Sequence, residues 1–156
     1  MAIAKTTQAY LLARGIPFNT LAHPRSCSAG ATAQAAHVPA DHIAKAVILK
    51  DDQGYLMAVV PGDHWVKLEA IGQELNRRLE LADESEVAVV FHDCQPGSIP
   101  PLGEAYGVEA VLDEALTSLA NVYIEVGDHE LLAHLTGEAF LNLTRGLRRG
   151  HFSHRG

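Results

Sequence analysis

A chain of 156 residues is the size of one domain and can bury a single substantial core. With 47% apolar and 20% charged residues it is too apolar for disorder, and its apolar runs fall far short of the roughly 18–20 residues that cross a bilayer. A formal charge of −7 argues against broad grip on a phosphate backbone, which needs clustered Lys and Arg, so no DNA partner is expected.

In chain order, residues 4–14 have near-helical apolar spacing, and Gly15 stops the helix. No signal-peptide cleavage pattern is evident there. "IPFNTLAH" reads as a short strand, and the alanine-rich "SAGATAQAAHV" as a closely packed helix headed by a serine. "AKAVILKDDQGYLMAVVPGD" is the clearest signal: two apolar runs flank Asp51-Asp52-Gln53-Gly54, giving a β-hairpin with a four-residue turn. "KLEAIGQELNRRL" is helical through Leu68, Ile71 and Leu75. "ADESEVAVVFHD" opens with an acidic cluster suited to a helix N-terminus. "VEAVLD" and "NVYIEVGD" look like strands around a short helix, "EALTSLA", and "HELLAHLTGEAFLNLT" like a strand or turn followed by a helix. From about residue 145 the chain is basic: Arg145, Arg148, Arg149 and Arg155 lack acidic sequence neighbours, as a frayed solvated end or a phosphate contact would. No linker or repeat divides residues 1–156, and the interspersed elements predict one mixed-sheet α/β domain.

Only Cys27 and Cys94 are available for disulfides and they are far apart, which fits a reducing cytoplasm. Strand alternation puts Lys45 on one face with Val47 and Leu49. Either its ammonium snorkels to water, or it is a fixed cation pointing into a pocket to meet a phosphate or a developing oxyanion. Lys50, at the turn, is expected to be solvated. "CQPGSIPPLG" holds three prolines and two glycines. Its Gly97, Ser98, Ile99, Pro100 and Pro101 make either a plain turn or a rigid wall whose glycine lets backbone approach a ligand. Cys94 with His92 is conceivable as a nucleophile, but no orienting third group is visible, and a small buried hydrophobe is the simpler reading. His129 and His134 match no compact metal-ligand spacing, so no metal or other cofactor is expected. There is no G-x-S-x-G, phosphate-binding loop or dinucleotide fingerprint.

In that order, "YLLARGIPFNTLAHP", "TAQAAHV", "IAKAVILKDDQGYLMAVVPGD", "CQPGSIPPLG" and "VLDEAL…VYIEVGD" resemble the YbaK/prolyl-tRNA-synthetase-associated domain family, from about residue 6 to 143. The resemblance implies a single domain with a curved, mixed, largely antiparallel β-sheet surrounded by helices. It also implies trans-editing, the hydrolysis of the ester joining a wrong amino acid to tRNA, assisted by the substrate's terminal ribose hydroxyl rather than a protein nucleophile. The family's strand lysine and G-x-x-x-P loop correspond to Lys45 and to Gly97–Pro101. The implied partners are the acceptor end of mischarged tRNA and, to supply further affinity to so acidic a chain, an aminoacyl-tRNA synthetase. Where many relatives carry a basic residue after the "VYIEVG" strand, this chain has Gly127-Asp128-His129, so His129 either lines the pocket or helps form a turn. Three functions are carried forward: a deacylase for a small or polar amino acid, a catalytically silent binding module of the same fold, and a metal-dependent hydrolase of small molecules.

Overall fold

The structure is a computed structural model describing residues 2–26 and 28–156; Cys27 lies outside the described residues, and Cys94 is a free, half-buried thiol. The elements in chain order are α1 (Lys5–Ala13), β1 (Asn19–Ala22), α2 (Ala29–Ala36), β2 (Ile43–Asp51), β3 (Gly54–Pro61), β4 (His64–Val66), α3 (Leu68–Leu75), β5 (Glu80–Leu81) and α4 (Glu84–Val90). They continue with β6 (Glu109–Asp113), β7 (Asn121–Glu125), β8 (Leu131–Thr136), α5 (Gly137–Leu143), β9 (Arg148–Gly150) and β10 (Ser153–Arg155).

The hairpin at the centre follows directly from its sequence. β2 and β3 pair antiparallel from Ala44–Pro61 to Asp51–Gly54, and the Asp51 carboxylate accepts the backbone N–H groups of Gln53 and Gly54, closing the turn. Arg77 then clamps Asp51 through two bonds of 2.7 Å. The acidic cluster predicted to start a helix does so: Asp83 and Glu86 form a reciprocal capping box at the head of α4. Lys50 is not simply solvated. It is half-buried and its ammonium meets Glu86 at 2.7 Å.

Among the described residues, eight strands form one mixed sheet in the order β1-β8-β7-β2-β3-β6-β9, with β5 attached to β2; β10 and β4 make a separate antiparallel pair. The β2–β7, β3–β6 and β6–β9 ladders are parallel and the others antiparallel. Helices cover both faces. On one, Leu11 of α1, Phe91 after α4 and Phe140 of α5 pack with Ile48, Met57 and Ile124. On the other, Ile71 of α3 packs on Leu49, Leu56 and Val60, while Ala33 and Ala36 of α2 pack on Ile43 and Leu132.

The basic tail is not frayed. β9 adds to the sheet beside β6, Phe152 is buried at 2% exposure, and the Asp113 carboxylate accepts both the Phe152 N–H (3.2 Å) and the Ser153 hydroxyl (2.7 Å). Two of the tail arginines that lack acidic neighbours in sequence find them in space: Arg155 meets Asp63 at 3.0 Å, and Arg148 lies 3.9 Å from Glu74.

Candidate active site

A break in strand pairing creates the site. β2 is paired with β7 only at Ile43–Tyr123 and Ala44–Ile124, and with β5 only at Leu49 and Lys50. Between those ladders one edge of β2 has no strand beside it, and a cavity of about 400 Å³ opens there. Lys45 on β2 and Glu125 on β7 are the first residues past the last parallel pair. Alternation gives them the face of Ile43 and Tyr123, and both line the cavity.

Lys45 is half-buried. Its Nζ donates to the His64 carbonyl at 2.7 Å and lies 5.7 Å from the centre of the Trp65 ring. Burial lowers its pKa, and the nearby Asp63 carboxylate partly offsets that. Trp65, on β4, also lines the cavity and is 66% exposed, so it offers a bare aromatic face at the mouth. The head of α2 contributes Ser28, Ala29 and Gly30, with the Ser28 hydroxyl accepting the Ala31 N–H at 3.1 Å as N-cap.

The remaining wall is the proline-rich loop. Gln95-Pro96-Gly97-Ser98 forms a β-turn closed by Ser98 N–H to the Gln95 carbonyl at 3.1 Å, with Gly97 at φ 84° in its third position. Pro at the second position and a left-handed Gly at the third are what a type II turn demands. The Gly97 N–H has no acceptor among the described residues, and Gly97 and Ile99 both line the cavity. Gln95 anchors the turn: its N–H donates to the Gly127 carbonyl (2.9 Å) and its side-chain oxygen accepts the His129 N–H (3.0 Å). Gly127 returns a bond to the Ser98 carbonyl at 2.9 Å. At φ 96°, a Cβ on Gly127 would stand 2.7 Å from that of Ala4, so only glycine fits.

With this geometry in place, the family model for the aminoacyl-tRNA editing domain matches residues 23–143. The chain belongs to that family. Among curated proteins the editing domain is similar to proline–tRNA ligases of Bacillus cereus strain Q1 and Bacillus anthracis strain CDC 684. In each case identity is 29% over 86 residues, covering 54% of this chain. Those residues are 15% of either ligase, so the chain spans a small part of the relatives it matches. Among solved structures, a proposed trans-editing enzyme for prolyl-tRNA synthetase superposes with a TM-score of 0.83 at 25% identity, covering 97% of this chain and 96% of that one. A proposed signal-transduction protein from Marinobacter aquaeolei VT8 gives 0.77 at 26% identity, over 95% of this chain and 30% of the other. Family and neighbour together support an aminoacyl-tRNA editing role.

Of the residues singled out in the editing domain's sequence, Lys45, Gly97 and Ile99 meet around the one cavity. Ser98 is fully buried and turned inward, its hydroxyl donating to the Gln95 carbonyl at 2.8 Å. Pro100 and Pro101 are buried behind the loop and do not line the cavity. His129 is buried at 4% exposure and is not part of the cavity lining either; the Asp128 carboxylate accepts the Glu130 N–H at 2.8 Å, so this segment is a turn. His92 and Cys94 lie in a turn after α4 rather than on a strand. Burial pushes the Cys94 thiol up to about 11, which leaves it protonated and unfit as a nucleophile.

Sequence reading missed Glu125, Trp65 and Gln95. A charged residue inside the apolar run "NVYIEVG" was the available signal for Glu125, because a carboxylate in a central strand is seldom buried without a purpose. A second cavity, of about 280 Å³ and mostly apolar, lies between β2 and α4 and shares Ala46, Gly97 and Ile99 with the first. Larger depressions beside α3 involve Arg77 and Arg78 and share no residue with the Lys45 cavity.

Proposed function

We propose that this editing domain is a deacylase that hydrolyses the ester of tRNA mischarged with a small or polar amino acid. The observation that carries this reading is the meeting of Lys45 with Gly97 and Ile99 around one cavity of about 400 Å³. That volume suits a small-molecule site, with room for the aminoacyl group and little beyond its ribose. A synthetase pocket rejects a substrate smaller by one methylene by only about 1–3 kcal/mol, so a second pocket of different shape has discrimination left to supply.

In the proposed reaction the acyl carbon gains the hydroxyl of water, the bond to the ribose oxygen breaks, and that oxygen leaves with a proton. The neighbouring ribose hydroxyl of the substrate orients the water and relays the proton. The unoccupied Gly97 N–H is suited to take the ester oxygen as it becomes an oxyanion, and the loop geometry that presents it is set before substrate arrives. Lys45 and the N-terminus of α2 supply positive potential at the same cavity, for the terminal phosphate or the polarised ester. Trp65 is placed to stack on the terminal base. Ile99 limits side-chain size. The 156 residues act as one domain, and β10, paired with β4 at His154–Trp65, sets His154 beside Trp65, where an acceptor-end phosphate would pass.

A panel of tRNAs mischarged with alanine, serine, threonine and cysteine tests the proposal. Turnover of at least one by the wild-type domain, lost by about 100-fold or more in Lys45→Ala, is the expected result. Binding without turnover of any member would identify a silent recruiting module instead, and turnover unaffected by Lys45→Ala would remove Lys45 from the mechanism.

A further inference from the structure

Glu125 is the acidic side chain in the cavity lining, and nothing in the reaction above uses it. It is 8% exposed, and its Oε1 has no hydrogen-bond partner among the described residues. Its antiparallel partner on β8 is Leu132, which packs with Ile43 and Ala33, so the carboxyl rises from an apolar floor. Lys45, its neighbour across the strand gap, does not neutralise it: no ion pair joins them, and the Lys45 ammonium is bound to the His64 carbonyl. Burial, reinforced by the like charge of Asp128, pushes the Glu125 carboxyl up to about 8, so it stands protonated at neutral pH.

A buried carboxyl with an open acceptor costs folding free energy and is retained at no gain to packing. What would complete it is a compact group with several N–H donors that can carry positive charge. An aminoacyl ester brings one, the α-amine, a single carbon away from the carbonyl that hydrolysis attacks.

We propose that Glu125 is the receptor for the α-amine of the aminoacyl ester, so that the cavity takes esters with a free α-amine and refuses N-acylated or desamino esters of the same side chain. This rests on the editing reading above. The proton count closes in either ionisation state. An ester arriving as the neutral amine takes the Glu125 proton and forms the carboxylate–ammonium pair; one arriving as the ammonium forms the same pair while the Glu125 proton passes to solvent. N-acylation removes both the charge and two of the donors, and leaves a bulky group against Ile43 and Leu132. Peptidyl-tRNA and N-formylated initiator tRNA are therefore spared.

The test compares alanyl-tRNA with propionyl-tRNA, which lacks only the amine, each rate being divided by its spontaneous hydrolysis. The wild-type domain is expected to favour the alanyl ester by about ten-fold or more, and Glu125→Gln, close in shape, to erase that preference by slowing the alanyl ester alone. The ratio of the two esters is its own control for folding, and Glu125→Ala must give the same collapse. Equal handling of both esters by the wild type, or an equal loss on both in Glu125→Gln, overturns the proposal while leaving deacylation standing. Should neither ester turn over, nor any other member of the mischarged panel, the deacylase reading fails. The affinities of amide-linked alanyl- and propionyl-tRNA, which cannot be hydrolysed, then decide the matter: a preference for the alanyl form that Glu125→Gln abolishes upholds the receptor, and equal affinities refute it.

Discussion

Two lysines of β2 show how position decides role. Lys50 pairs with Glu86 at 2.7 Å at the outer end of the strand, whereas Lys45 sits where β2 parts from β7 and its ammonium is held by a backbone carbonyl beside a cavity. Cys94 gives the sharpest contrast among the reactive side chains. It lies one residue from Asp93, whose carboxyl burial would raise but which donors from Thr6, Tyr106 and Cys94 itself hold down at about 2. A thiol facing that permanent negative charge, with its own pKa at about 11, has no thiolate to offer. Cys94→Ala should therefore retain deacylation within about three-fold by single-turnover assay, and a loss of the size expected for Lys45→Ala would reinstate it as a nucleophile. Trp65→Ala should raise KM several-fold, on the order of one lost stacking contact, with kcat little changed.

The loop from Gln95 to Pro101 works as one element because Gln95 and Gly127 stitch it to the β7–β8 connection. Gln95→Ala removes the acceptor of the His129 N–H and should lower kcat more than it raises KM, through loss of loop order. Amide hydrogen exchange at Gly127 and His129 should speed up in parallel, and unchanged exchange would contradict the bracing role. The turn itself was legible in "QPGS", since Pro then Gly dictates its type, and the hairpin was legible in "DDQG" flanked by apolar runs. What could not be read is every feature that depends on distant partners. The parallel β2–β7 pairing stops after two residues, and no local pattern reports where a ladder ends. The tail looked frayed because "RGLRRGHFSHR" carries little strand alternation; Phe152 and the Asp113 carboxylate, far upstream, order it. His129 was weighed as a pocket residue because it follows the strand that carries Glu125, but the turn at Asp128 directs it elsewhere.

The whole molecule carries a formal charge of −7, and of its exposed arginines Arg148 is held near Glu74 and Arg155 near Asp41 and Asp63. Grip on tRNA confined to the acceptor end should give a shallow salt dependence, a slope of about −2 to −3 in log K against log salt; a slope near −6 would require many more phosphate contacts. Stability carries the signature of Glu125. Its folded pKa of about 8 exceeds that of an ordinary glutamate, about 4.3, so across that interval the unfolded chain has released a proton that the folded one keeps. Stability contributed by the group is thus lost as pH rises. Urea melts of Glu125→Gln should match wild type near about pH 4 and exceed it by roughly a few kcal/mol near about pH 8, and a constant gap would place the carboxyl in water instead. Below about pH 4 the order reverses for Asp93, which sits at about 2 when folded and withdraws its stabilisation as it protonates. The deacylation outcomes presuppose that the aminoacyl end enters beside Lys45 and not one of the larger depressions near Arg77 and Arg78. Backbone and lysine-ammonium NMR shifts, recorded while an amide-linked alanyl minihelix is added, report that location residue by residue. Perturbation concentrated at Lys45, Ala46, Gly97, Ile99 and Glu125 is the predicted result, and perturbation confined to Gly72, Asn76, Arg77 and Arg78 would contradict it.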